Sequence, residues 1–149
     1  MKTELVKDWM TPNPICASPD LPLPDAHKLM KDHHIRRLPV VDAQGKLVGI
    51  VTRGDIRGAE PSEATSLSIF EIHYLLSRLT LDRIMTKDPV TVRPTTTLGE
   101  AARLMLQHKI AGLPVVDDGH ILGVITESDI FRPVVKMWEK EEQAALVHA

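Results

Sequence analysis

At 149 residues the chain is long enough for one ordinary domain, or for two small ones that share a core. Apolar residues make up 43%, which excludes disorder along the whole chain, and aromatics only 3%, so any core is aliphatic. A formal charge of −2 with mixed signs excludes a nucleic-acid binder relying on an overall positive field, and the single Cys16 excludes an intramolecular disulfide.

We read no basic-then-apolar leader at the start, and no apolar run approaches the roughly 20 residues of a membrane helix. The expectation is a soluble cytoplasmic protein without a membrane partner. Cys16 reads as a small inert residue.

In chain order, Pro24 stands near the start of a first helix, where its missing N–H does no harm. Leu38-Pro39-Val40-Val41-Asp42 is a β-branched strand, and Ala43-Gln44-Gly45 turns it back into a strand ending Gly49-Ile50-Val51-Thr52. Thr52 then opens a helix through Arg53-Gly54-Asp55-Ile56. Gly58-Ala59-Glu60-Pro61-Ser62 reads as a turn. Ala64 to Leu79 reads as a helix with Leu67, Phe70, Leu75 and Leu79 on one side, widened by Ile72 and Leu76.

Val90-Thr91-Val92 is predicted as a short strand, and Thr97-x-x-Glu100 as the capping box of a helix. Ala101, Leu104, Met105 and His108 recur at helical spacing and are expected to face inward. Leu113 to Val116 is a strand, Asp117-Asp118-Gly119 a hairpin turn, Ile121 to Ile125 the returning strand, and Thr126 opens another helix. A further helix is predicted over Pro133 to Val147, with Val134, Val135, Trp138 and Leu146 apolar. The stripes of these two outlying helices are expected to pack on the second copy or on a partner subunit, not to form a cofactor site.

The same words occur twice. A shift of 75 positions places Met10-Thr11 on Met85-Thr86, Pro14 on Pro89, His33 on His108, and Leu38 to Asp42 on Leu113 to Asp117. One residue is lost in the turn, and the shift becomes 74, placing Thr52 on Thr126 and Asp55 on Asp129. Each copy reads β-α-β-β-α.

Met-Thr followed by Pro, the Leu-Pro-Val-Val-Asp strand and the Gly-x-x-Thr-x-x-Asp ending recur in order at matching spacing. On these motifs each copy resembles a CBS domain, and the two together a Bateman module. The resemblance implies an α+β fold, tandem CBS domains packed as a pseudo-twofold pair with two clefts. It implies domains over 3–57 and 78–132, with an interdomain linker and helix over 58–77 and a C-terminal helix over 133–149. The intervening helix is similar to that of stand-alone bacterial CBS proteins of the acetoin-utilisation type.

By the same resemblance, the expected function is regulatory and energy-sensing, not enzymatic. The pair would bind an adenosine-containing ligand: AMP, ADP or ATP first, NAD(H) or S-adenosylmethionine otherwise. No cofactor is required. Two units are expected to form a homodimer, and the output is expected in self-association or in an unidentified protein partner. The competing reading is a structural or interaction module with degenerate clefts.

Asp carboxylates can accept hydrogen bonds from both vicinal ribose hydroxyls, and a Thr three residues earlier offers a hydroxyl to phosphate at a helix start. Thr52/Asp55 and Thr126/Asp129 are the candidate pairs, although Thr-x-x-Asp is equally a helix-capping box worth about 1 kcal/mol. Arg36-Arg37 precedes the first Leu-Pro-Val, where the resemblance places phosphate-binding basic residues. Copy two has Ala111-Gly112 there, small enough for an adenine to lie against the backbone.

The resemblance draws each cleft from both copies. The main cleft would combine Arg36, Arg37, Thr52 and Asp55 with a base pocket of Thr86, Val90, Ile110, Ala111 and Gly112. The second, weaker cleft would combine Thr126 and Asp129 with Thr11, Ile15 and Ile35, and with the bulky Arg36 and Arg37 around the base. His27 and His33-His34 form the best histidine cluster, but no ligand spacing accompanies them, so no metal is expected. No P-loop or nucleophile elbow is present, and no catalytic residue is assigned.

Overall fold

The structure, a computed structural model, describes residues 3–61 and 65–147. In chain order the elements begin with α1 (Val6–Trp9), β1 (Thr11–Pro12), α2 (Leu23–Asp32), β2 (Arg37–Val41), β3 (Leu47–Thr52) and α3 (Arg53–Ala59). They continue with α4 (Ile69–Arg78), α5 (Leu81–Ile84), β4 (Thr86–Lys87), α6 (Leu98–His108), β5 (Gly112–Asp117), β6 (His120–Thr126) and α7 (Glu127–Val147).

Two β-branched hairpins, β2–β3 and β5–β6, each anchor a three-stranded sheet, ordered β2-β3-β4 and β1-β6-β5. The second hairpin closes through Asp118 and Gly119 at φ 50° and 79°, the left-handed pair that a two-residue hairpin turn demands. The first turn is longer, and there Asp42 Oδ1 accepts from the N–H groups of both Gln44 and Lys46 at 2.9 Å.

The chain forms two compact units, Ile15–Pro89 and Met1–Pro14 with Val90–Ala149. The repeat and the compact units divide the chain differently. β1, at the start of copy one, pairs with β6 of copy two's hairpin, and β4, at the start of copy two, pairs with β3 of copy one's. Glycine at the crossing point permits both pairings. A Cβ on Gly123 would stand 2.7 Å from both Thr11 O and Met10 Sδ, and one on Gly49 would stand 2.5 Å from Met85 Sδ and 3.0 Å from Thr86 O. Gly123→Ala should cost about 1.5 kcal/mol, read from the urea midpoint, because a backbone carbonyl must move there. A loss no larger than that of Gly58→Ala, whose Cβ would meet nothing within 4 Å, would refute this.

Each sheet turns one face to an aliphatic core. Leu38, Val40 and Val51 meet Leu23, Ala26, Met30 and Leu81 in one unit. Leu113, Val115 and Ile125 meet Val6, Ala101 and Met105 in the other. Leu76 of α4 and its C-cap residue Leu79 pack against the first of these cores.

Five local expectations differ from the structure. Gly58 and Ala59, read as part of a turn, end α3, and Ser62 lies outside the described residues. α4 starts at Ile69, where Ser68 Oγ accepts from Glu71 N–H at 3.2 Å; residues 65–68 are not helical, and Ala64 lies outside the described residues. Val90-Thr91-Val92 is not a strand: only Val92 bridges, to Val115, between Pro89 and Pro94. His108 is exposed at the end of α6, where Lys109 adopts φ 55° and the chain leaves the core face. The helix opened by Thr126 does not stop before Pro133 but runs on as α7 to Val147. One missing N–H donor is outweighed by the helical turns on either side of it. Among the described residues no helix is long and apolar enough to cross a membrane.

Candidate functional site

Alternation along the sheet sorts the candidate residues. In the unit Ile15–Pro89, Leu38 and Val51 point to the core, so Arg37, Thr52 and Ile50 lie on the opposite face. Register fixes the neighbours: Arg37 opposes Thr52, and Thr86 of β4 opposes Ile50. Arg36 is exposed, and its carbonyl accepts from Arg53 N–H at 3.1 Å, tying the start of β2 to the start of α3. Thus Arg36, Arg37, Thr52, Asp55 and Thr86 belong to one unit, at the end of its sheet where α3 begins.

Thr52 and Asp55 form a reciprocal capping box. Asp55 N–H donates to Thr52 Oγ1 at 3.1 Å, and Thr52 N–H donates to Asp55 Oδ2 at 2.8 Å. The capping role is therefore realised. It leaves Asp55 half-exposed, with no partner for Oδ1 among the described residues. A carboxylate held in this way keeps acceptor capacity for hydroxyl donors.

The second pair is built differently. Thr126 donates to Asp129 Oδ2 from both its N–H, at 3.0 Å, and its hydroxyl, at 3.1 Å. Arg132 Nη1 donates to Oδ1 at 2.5 Å, and Asp129 is only 2% exposed. Both carboxylate oxygens are engaged. At the repeat shift of 74, Arg132 corresponds to Gly58, which has no side chain to offer Asp55. Arg132 escaped the sequence reading, although an Arg three residues after an Asp on a helix is a legible pair.

The remaining candidates divide by unit. Ile15 and Ile35 pack against the core of the unit Ile15–Pro89. In the other unit, Val90 and Ile110 pack against its core, Gly112 is buried opposite Thr126, Ala111 is half-buried, and Thr11 is exposed on β1 opposite Val124. The two combinations that the resemblance implied each draw on both units.

His33 and His34 are exposed, and His27 Nδ1 lies 3.1 Å from Glu60 Oε1. Among the described residues no group of three or more His, Cys, Asp or Glu side chains is placed to hold a metal. Burial pushes the Cys16 thiol above the ordinary range, so the unreactive protonated form dominates at neutral pH.

A CBS domain profile matches residues 6–62 and 81–136, more than half of the chain. The chain belongs to the CBS domain family. Among solved CBS structures, CBSX2 of Arabidopsis thaliana in complex with AMP is similar at TM-score 0.75 and 32% identity, over 90% of this chain and 98% of that one. The Vibrio cholerae protein named for acetoin utilization, AcuB, is similar at TM-score 0.75 and 34% identity, over 95% and 98%. The CBS domain pair of protein MJ0100, in complex with 5′-methylthioadenosine and S-adenosyl-L-methionine, is similar at TM-score 0.72 and 34% identity, over 87% and 98%.

The fold is thus a mixed one with two CBS domains, each with a small sheet and helices, as in these CBS pairs. Curated relatives named as enzymes share only the pair. Inosine-5′-monophosphate dehydrogenase of Korarchaeum cryptofilum is 40% identical over 118 residues, 78% of this chain but 21% of its own length. The chain spans about a fifth of the length of the first such relatives.

Proposed function

We propose that this CBS pair is a cytoplasmic, homodimeric regulatory module that binds an adenine nucleotide, AMP, ADP or ATP, and signals by a change of shape or of dimer contacts. Asp55 would take the ribose hydroxyls, Thr52 with Arg36 and Arg37 the phosphates, and Thr86, Val90, Ile110, Ala111 and Gly112 the base. The observation that carries this reading is the half-exposed Asp55 at the start of α3, in the Gly-x-x-Thr-x-x-Asp ending, with the Arg36 carbonyl bonded to Arg53 N–H and Arg37 opposite Thr52 in the sheet. The AMP complex of CBSX2 supports the ligand class, and the methylthioadenosine and S-adenosylmethionine complex of MJ0100 supports adenosine as the common part. The second site, with Thr11, Ile15, Ile35, Thr126 and Asp129, would be weaker, since Arg132 already occupies the carboxylate that ribose requires.

Signalling requires unequal affinity for two states, because equal binding to both shifts nothing. A pure interaction module is the second reading, favoured by the exposure of Phe70 and Trp138, at 82% and 53%. Thermal melts against AMP, ADP, ATP, NADH and S-adenosylmethionine separate the two. A ligand at about 100 times its Kd stabilises the folded state by about 2.7 kcal/mol and raises the melting temperature accordingly. We expect the largest rise with one of the three adenine nucleotides. No rise with any ligand at millimolar concentration would leave the interaction module standing.

A further inference from the structure

A groove of about 380 Å³ lies between α2 and α3, within the unit Ile15–Pro89. Its floor is apolar and closed, with Met30 and Ile56 only 3% and 2% exposed. Its rim is cationic: Lys31 of α2 and Arg53 and Arg57 of α3 all stand exposed there. None of the three makes an ion pair among the described residues. The carboxylate on the rim, Glu60, lies 3.1 Å from His27 Nδ1 instead.

The fold does not require this charge. The repeat shifts carry Met30 onto Met105 and Ile56 onto Ile130, so the floor recurs in copy two. The rim does not recur, because Lys31, Arg53 and Arg57 fall on Leu106, Glu127 and Phe131. Glu127, in the first turn of α7, has the sign that a helix start favours. Arg53 opens α3 with the opposite sign. Arg53 and Arg57 are also like charges one turn apart on a helix, and they repel. Copy one thus gathers three unpaired cations against a local electrostatic cost, and a bound anion would remove that cost.

Phosphate suits these donors. A guanidinium presents paired N–H groups to phosphate oxygens, and a lysine adds a point charge. One phosphate group carries only about −1.5 to −2 at neutral pH, so it neutralises the rim in part. We propose that the α2–α3 groove binds an anion with two or more adjoining phosphate groups, held by Lys31, Arg53 and Arg57. Free inorganic polyphosphate and the phosphate tail of a nucleotide share this chemistry. The inference goes beyond the proposed function and does not rest on it, since none of the three residues belongs to the proposed adenine site.

Calorimetric titration of the full chain with inorganic tripolyphosphate, at low ionic strength to limit screening, tests it. The wild type should bind, and Arg53→Ala with Arg57→Ala should weaken binding about tenfold or more. Lys7→Ala with Lys46→Ala removes as much charge from exposed positions outside the groove and should change affinity by less than about twofold. Orthophosphate should bind about tenfold more weakly than tripolyphosphate. Competition then identifies the source: ATP displaces tripolyphosphate if a nucleotide tail is the natural occupant, and fails to displace it if free polyphosphate is. All four substituted positions are exposed, alanine favours helix, and circular dichroism checks that the variants fold.

Four results would overturn the proposal. They are no binding by the wild type, binding untouched by Arg53→Ala with Arg57→Ala, equal losses in both double variants, or a hexaglutamate peptide binding more tightly than tripolyphosphate. AMP-induced melting shifts on the same variants report the adenine site separately, so either reading can fail alone.

Discussion

Asp55→Ala is expected to lower the affinity for the bound adenine nucleotide by about a hundredfold while leaving the protein folded. Hydrogen bonds to a charged group contribute roughly 1.5–3 kcal/mol each, and about 2.7 kcal/mol is a hundredfold in Kd. Oδ2 is fixed by the Thr52 N–H at 2.8 Å and Oδ1 is the open acceptor, so in the proposed complex the carboxylate would meet the ribose already oriented. The same substitution removes half of the capping box and should cost about 1 kcal/mol of stability. Asp55→Asn keeps one acceptor oxygen and should lose less affinity. Calorimetric titration with the nucleotide that gives the largest melting shift measures both variants. Affinity within threefold of the wild type in Asp55→Ala would remove Asp55 from the site.

Asp129→Ala should have the opposite profile. Its side chain is only 3% exposed and accepts from Thr126 N–H, Thr126 Oγ1 and Arg132. Alanine there strands the Thr126 N–H at the start of α7 and leaves Arg132 unpaired. We expect a loss of about 2–3 kcal/mol in urea unfolding, with nucleotide affinity changed by no more than a few fold. The side chain of Arg132 is 62% exposed, so water takes over much of its share. Arg132→Ala, which keeps helix propensity, should therefore cost well under about 1 kcal/mol. If Arg132→Ala proved as damaging as Asp129→Ala, the weight placed on the Thr126 contacts would be wrong.

These two aspartates occupy the same position in the repeat, and from sequence each is a candidate cap and ligand group, with both roles expected together in at least one of them. The cap was legible from Thr-x-x-Asp because it is a local device, four residues long. The hairpin turns were legible for the same reason, since Asp118-Gly119 fits the left-handed pair with no help from elsewhere. The α-β-β-α part of each copy followed from the alternation of helical spacing with β-branched runs, whereas the opening strand of copy two is Thr86–Lys87 and not Val90–Val92. Local rules failed where a boundary depended on neighbours. Residues 65–68 have helix-compatible composition but precede the Ser68 cap, and Pro133 signals a break that the continuous α7 overrides. His108 keeps helical spacing with Met105 yet is exposed, because the core face ends one turn before it.

The sequence by itself determined the repeat, the family and the division of Arg36-Arg37 from Ala111-Gly112, all of which are identities at fixed spacing. Only the tertiary structure decided which strands share a sheet. β1 and β4 are two residues each, too short to carry a pattern, and their partners are set by glycines 37 and 112 positions away, at Gly49 and Gly123. Tertiary structure also decided which aspartate is spent. Asp55 and Asp129 look alike until Arg132 closes on one, while Gly58 leaves the other open. A carboxylate's availability depends on what surrounds it in space, and a repeat preserves the residue without preserving its surroundings.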